Sequence, residues 1–289
     1  MTSEELQQLR HAKWQALTGR GLTSERLLEF VQEAGFCPFT AHPGLHLPAI
    51  DTLAGAPIGA SDAPARELTA GERSLHNAQE LLEYHIRHRH IVEVDLWRSF
   101  RLYVPRDLLG YLYVSVGDRK PEKDFRAQLN KGHLSSLPAE VYALLLEHQA
   151  MTRSELREKL GPDRTSPMAI DRAVGELALT LKAVRVDQRD GEPCWNAVLH
   201  AFPEAPAMLQ QVSKLEAAAA LISKLLNLMI VETEDALAEF FTPIFPRSRT
   251  HSVLLGLEAG REVMVEHLDG RPAWRLVHTA DIPEEPAKA

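Results

Sequence analysis

Four groups of residues have the types and spacing for chemistry. Pro246 is followed by Arg247, Ser248, Arg249, Thr250 and His251. At the start of a helix such a run offers guanidinium, imidazole and hydroxyl groups to phosphates and base edges. Earlier in the chain, Pro162-Asp-Arg-Thr-Ser166 is less basic: Arg164, Thr165 and Arg172 are diluted by Asp163, Asp171 and Glu176. The run His85-Ile-Arg-His88-Arg-His90 has metal-ligand types. On a helix, however, His85 and His88 share a face and His90 does not, and Arg87 and Arg89 would repel a cation. It reads better as a helix end complementing the macrodipole, with phosphate contact as its functional use. Cys37, His42 and His46 give C-x4-H-x3-H, all zinc-ligating types, but no fourth ligand stands nearby. They read as a buried cysteine and two loop histidines, so no metal is expected. The phosphate-binding, dinucleotide, zinc-protease and serine-nucleophile patterns are absent, and no cofactor is expected.

Charge is unevenly placed. The chain carries a net −8, which disfavours a general phosphate-coating protein. Between Tyr84 and His133, however, ten Lys and Arg stand against six Asp and Glu. Local positive charge is what a nucleic-acid binder needs. Arg87, Arg89, Arg98 and Arg101 are the candidates in this basic middle, and a solvated face is the plain alternative.

The elements that must position these groups are marked by an internal repeat. Val184, Val186, Asp187, Asp190, Gly191, Pro193, Trp195 and Val198 are matched by Val263, Val265, Glu266, Asp269, Gly270, Pro272, Trp274 and Val277. Each copy predicts a β-hairpin, with alternating valines, an Asp-Gly turn and a return strand opened by Pro and Trp. Three helical patterns precede each hairpin: 140–149, 152–160 and 167–179, then 215–229, 233–241 and 247–258. Thr152-x-x-Glu155 has the form of a capping box. Three helices and a two-stranded wing predict a winged helix-turn-helix. The expected fold is α+β, mainly helical, with two such units in tandem after an N-terminal helical, winged-helix-like unit.

The expected boundaries are an N-terminal helical unit with an irregular loop over 1–66, a mixed basic middle over 67–135, winged helices over 136–206 and 207–279, and a frayed tail over 280–289. Within the first unit, helices are expected over 3–16 and 23–34, with Gly35 ending the second. The stretch 36–66 is broken by prolines and glycines, though Phe36, Phe39, Leu45, Leu47, Ile50 and Leu53 favour packing. A helix over 70–89 and an alternating strand over 91–104 follow. The wings carry acids (Asp187, Asp190, Glu192, Glu266, Asp269) where a DNA-gripping wing would prefer Lys or Arg. Two cysteines give no disulfide framework and suit a reducing cytoplasm. The first ten residues are polar, without a signal-peptide pattern. The most apolar helix is interrupted by Lys224 and Asn227, so no membrane span is expected.

The order of parts resembles the AlkZ-like (YcaQ-like) winged-helix family of DNA glycosylases. The stretch Leu82-Glu-Tyr84 followed by histidines is similar to the family's "EYW-x-H" segment. Thr152-Arg-Ser-Glu-Leu156 resembles its second-helix start, and Arg172-Ala-Val-Gly-Glu-Leu177 with Val184-Arg-Val186 its recognition helix and wing. Phe202-Pro-Glu204 also fits. The resemblance implies a protein of DNA repair acting on alkylated or crosslinked bases. It also implies a catalytic Gln-x-Gln or Gln-x-Asp on the strand after the second helix. Here that place reads Gly35-Phe36-Cys37-Pro38-Phe39, and Gln32 and Glu33 lie a turn too early. The chain therefore reads as a divergent AlkZ-related branch whose catalytic residues are not identified. Glu33, Asp51, Glu93 and Asp95 are the unranked carboxylates that remain.

Three functions compete. The first is a binder of double-stranded DNA, damaged DNA included, through Arg247, Arg249, Thr250 and His251 with Arg87, Arg89, Arg98, Arg101, Arg164 and Arg172. The second is an active glycosylase with an altered site. The third, suggested by the acidic wings, is a scaffold whose winged helices meet a protein partner.

Overall fold

The structure, a computed structural model, describes residues 1–18, 22–42, 45–54 and 70–277. The expected tail 280–289 and much of the expected loop, 55–66, lie outside the described residues. In chain order the elements are α1 (Ser3–Thr18), α2 (Ser24–Ala34), α3 (Ala70–Arg87), β1 (Ile91–Val94), β2 (Leu102–Pro105), α4 (Arg106–Val116), α5 (Pro121–Asn130), α6 (Ser136–Glu147), β3 (Met151–Thr152), α7 (Arg153–Leu160), α8 (Pro167–Ala178), β4 (Ala183–Arg189) and β5 (Glu192–Ala197). The short α9 (Val198–Ala201) and α10 (Glu204–Ala207) lead to α11 (Lys214–Met229), α12 (Glu234–Phe241), α13 (Arg247–Ala259), β6 (Val263–Leu268) and β7 (Arg271–Leu276). The fold is α+β and mainly helical, with three small antiparallel sheets, β1-β2, β3-β5-β4 and β6-β7.

The sequence repeat is a structural repeat, and it extends beyond the eight matched positions. Both hairpins turn through Asp-Gly with positive φ at both residues: 52° and 79° at Asp190 and Gly191, 49° and 77° at Asp269 and Gly270. That pair of left-handed residues makes the turn follow the natural strand twist. Both preceding helices end alike. Lys182 N–H returns to Leu177 O at 2.9 Å and Glu262 N–H to Leu257 O at 2.8 Å. Leu181 and Arg261 take the left-handed place, with φ of 50° and 59°. Each hairpin tryptophan pairs with the residue before the cap of the preceding second helix, Met151 with Trp195 and Glu232 with Trp274. That second helix starts at a threonine cap in both units, accepting from Glu155 N–H and Ala236 N–H. The Thr152–Glu155 capping box is present in full. The hairpins differ in regularity: the first has a bulge between Arg185 and Asp187, and the second is regular.

Packing divides unequally. Tyr142, Leu145, Leu156, Ile170, Val174 and Leu177 form a separate core under α6, α7 and α8. A larger core joins the N-terminal helices, β1, β2, α4 and the second repeat, and takes in Val184, Val186 and Cys194 of the first wing. Helix α11 is central to it: Leu221, Ile222, Leu225 and Leu226 are buried, each stabilising the fold by about 1.5–3 kcal/mol. Leu6 of α1 joins only a small cluster with Val231 and Ala273, while Leu9 stays 47% exposed.

The expected strand over 91–104 is instead two strands. Pairing closes at Val94 opposite Leu102, and the connection 95–101 forms a finger-like loop whose Leu96 and Trp97 are buried while Arg98 and Ser99 at its tip are exposed. Arg101 clamps its base by binding Asp95 at 2.7 Å, and Phe100 N–H turns back to Trp97 O at 3.3 Å. The Trp97 and Phe100 rings stack with centroids 6.0 Å apart. Alternation of apolar residues hid this turn, because Leu96 and Phe100 are apolar for reasons of finger packing.

Candidate nucleic-acid interface

Helix α13 begins at Pro246, which has no side chain able to cap it; Arg249 N–H turns back to Pro246 O at 2.8 Å, and no side chain caps the Arg247 and Ser248 N–H groups. Arg247 is exposed and meets Asp235 at 3.3 Å, across a pair whose side chains are 62% and 88% exposed. Such a pair contributes little and yields readily to a phosphate. Arg249 is partly buried and makes no ion pair among the described residues. His251 lies 3.0 Å from Glu234. Thr250, expected among the contacts, is fully buried with its hydroxyl unpartnered. It falls on the face of α13 that carries Val253, Leu254 and Leu257, at i+3, i+4 and i+7, and so points into the core.

The first unit presents a quieter end. Ser166 caps α8 by accepting from Ala169 N–H. Arg164 is 74% exposed and 3.8 Å from Glu140, and Arg172 is exposed beside Met168 at 3.7 Å.

Four of the five hairpin acids have partners inside the molecule, and Asp190 is exposed. Asp187 takes Arg87 at 2.6 Å. Glu192 takes Arg153 at 3.1 Å and the Ser154 backbone at 3.1 Å. Glu266 takes Arg275 at 3.5 Å, and Asp269 holds the Ser3 backbone and hydroxyl. The Arg87 and Ser154 contacts keep the Asp187 and Glu192 carboxyls below the usual range, against the cost of burial.

The arginines of the middle divide the same way. Arg89 donates to Ala201 O at 3.1 Å. Arg101 bridges Asp95 and Glu93, the latter at 3.0 Å. Arg185 of the first wing reaches Glu93 at 2.7 Å and Glu83 at 2.5 Å, and this network fastens β4 to β1 and α3. Burial pushes the Glu93 carboxyl up, while Arg185 and Arg101 pull it back. Arg98, at the tip of the finger, is exposed and forms no ion pair among the described residues. Arg87, Arg89 and Arg101 therefore tie parts of the molecule together, whereas Arg98 and Arg249 keep their donors free.

A cleft of about 990 Å³ lies where the finger meets both repeats. Trp97, Arg98, Ser99 and Phe100 form one side. Glu176, Leu179 and Thr180 come from the end of the first unit's α8, and Glu232, Glu239 and Phe240 from the second unit. His42, Leu45, His46 and Leu47 also line it, as does His133. Trp97 is anchored by its Nε1–H to Phe240 O at 2.7 Å. These aromatic and acidic residues were not foreseen. The signal available in sequence was Trp97-Arg-Ser-Phe100, a cation between two aromatic residues.

The place of the family's catalytic pair lies behind this wall. Cys37 bridges Tyr103 of β2, its thiol donates to Tyr103 O at 3.4 Å, and burial pushes the thiol up. Phe36 packs edge-on against Trp97 at 6.2 Å. Of the four carboxylates, Glu93 and Asp95 are engaged by arginines and Glu33 is exposed. Asp51 is buried, with Oδ1 unpartnered and its N–H bonded to Phe39 O at 2.9 Å, and burial raises its carboxyl. His85 is buried at the end of α3, its Nε2 on Ser24 O at 2.9 Å and its Nδ1 on His90 Nδ1 at 3.1 Å. Nε2 therefore carries the proton, and His90 donates to Nδ1. No group of three metal-ligating side chains occurs among the described residues. No helix there is long and apolar enough to cross a membrane.

No curated protein matches this chain. Among solved structures, Streptomyces sahachiroi DNA glycosylase AlkZ is similar with a TM-score of 0.49 and 15% identity. The match covers 70% of this chain and 57% of that one, so the chain spans little more than half of that protein's length. Residues 99–242, from the finger to the end of α12, match the family model described as AlkZ related. The chain belongs, by that match, to the AlkZ-related family.

Proposed function

We propose that the protein carries two winged helix-turn-helix units, residues 136–206 and 207–279, set after an N-terminal unit and a basic middle, and that it binds double-stranded DNA chiefly through the second. The observation that carries this reading is the start of α13. Uncapped N–H groups, Arg247 and the unpaired Arg249 are gathered at one helix end, an arrangement suited to phosphate. The acidic wings, which would otherwise argue for a protein partner, spend most of their charge inside the molecule. The family is named for AlkZ, and the Streptomyces protein of that name is a DNA glycosylase, which supports a place in DNA repair. Both cysteines are free and buried, in keeping with a reducing cytoplasm.

Binding to a labelled duplex, followed by fluorescence anisotropy, tests this. Three or four phosphate contacts make the affinity fall on the order of 100-fold between about 50 and about 200 mM salt. Absence of salt-sensitive binding to any duplex, intact or damaged, removes the proposal.

A second reading, glycosidic-bond cleavage, has one observation in its favour: the buried, half-unpartnered Asp51 held against the Pro38–Phe39 segment. Incubation with alkylated DNA should then give abasic sites, and Asp51→Asn should abolish them. Folded protein that yields none above background excludes this reading.

A further inference from the structure

The geometry points to the cleft between the finger and the two repeats as a receptor for one unstacked nucleobase of a DNA strand. This rests on the DNA-binding reading above and adds what the cleft would do.

Four observations meet there. The Trp97 and Phe100 rings stack with planes 21° apart, and Phe100 is only partly buried. Its ring is the outer member of the stack and can offer a face to a planar group. His42 leans on the same ring at 5.4 Å, with its Nδ1 buried and unpartnered. Arg98, next to Phe100 at the finger tip, keeps its guanidinium free for the phosphate that accompanies a base. Glu176 and Glu239 also line the cleft, one from each repeat, and supply acceptors for ring or exocyclic N–H groups. Glu176 spends one oxygen on Ser135 N–H, leaving the other.

An aromatic face, a cation beside it and hydrogen-bond acceptors in the same cleft are parts with which proteins hold unpaired bases. The finger is rigid enough for this, being clamped at its base by Asp95–Arg101 and anchored by Trp97 to Phe240 O. A fully paired base cannot reach the cleft without leaving its stack, so the site favours DNA in which unstacking has already occurred.

The test compares a perfect duplex with the same duplex carrying a one-base bulge of 2-aminopurine. Wild type should bind the bulged form about tenfold more tightly, with a change in 2-aminopurine emission. Phe100→Leu keeps apolar bulk and loses the π face. It should remove most of that preference and the emission change, while perfect-duplex affinity stays within about twofold. Phe100→Trp should retain both signals, and thermal melting reports whether each variant is folded. Equal affinity for the two DNAs, or a preference that survives Phe100→Leu, overturns the inference while duplex binding stands. Failure to bind either DNA at low salt overturns the inference together with the reading of α13.

Discussion

The two repeated units share a backbone plan and differ in what they are fastened to. In the first, Arg185 on the wing is 8% exposed and locked between Glu93 and Glu83, and Asp187 adds Arg87. In the second, the matching positions are Met264 and Glu266, and the wing tip is instead held by the chain's own start through Ser3 and the Met1 amino group. The third helices diverge in the same sense. Helix α8 begins at a serine that caps it, and α13 begins at a proline without a capping side chain, with Arg247 exposed and Arg249 partly buried in its first turn. The repeated residues specify the frame, and the residues that do not repeat decide what each unit is fastened to and what it leaves exposed.

Several measurements can break or sharpen this contrast. Arg185→Ala leaves the buried Glu93 with Arg101 alone and should cost about 3 kcal/mol. Met264→Ala, at the matching but half-exposed place, should cost roughly 1 kcal/mol. Urea unfolding measures both, and equal losses would show that the first wing is not specially fastened. The turns should behave oppositely, as equals. Gly191 and Gly270 have φ of 79° and 77° with open space where a side chain would go. Alanine at either should cost about 1–2 kcal/mol from backbone strain alone. A large difference between the two would contradict the equivalence of the hairpins.

A smaller effect concerns pH. Burial holds His85 below the usual imidazole range, with the Ser24 carbonyl opposing and His90 and His88 reinforcing it. The unfolded chain therefore takes up a proton that the folded protein refuses. The contribution is full above the ordinary imidazole value, about 6.5, and is lost as pH falls below it. The melting temperature of wild type should drop between about pH 7.5 and about pH 5.5 by more than that of His85→Gln. Parallel curves for the two proteins would sink this assignment.

Much of the frame was legible in the sequence because its signals are local. Asp-Gly between alternating valines specifies a hairpin wherever it occurs, and Thr152 with Glu155 closes a helix start with neighbouring atoms alone. The site was less legible because it is made of long-range contacts. Nothing near Asp187 in sequence announces Arg87, a hundred residues away, so the wing acids looked like exposed charge. Thr250 looked like a surface hydroxyl until the core face of α13 was set by Val253, Leu254 and Leu257. The finger was read through as strand because alternation continues across Leu96 and Phe100, although their partners lie in other elements. The cleft joins segments from residue 42 to residue 243, a juxtaposition no spacing encodes.

The most direct measurement is duplex affinity against salt for two double variants, Arg247→Ala/Arg249→Ala and Arg164→Ala/Arg172→Ala. If the second unit carries the contact, the first variant weakens binding at least about tenfold and flattens the salt slope by about two, one for each lost phosphate contact. The other variant should stay within about threefold of wild type. Equal losses, or a salt slope unchanged in Arg247→Ala/Arg249→Ala, would contradict the assignment of DNA contact to α13.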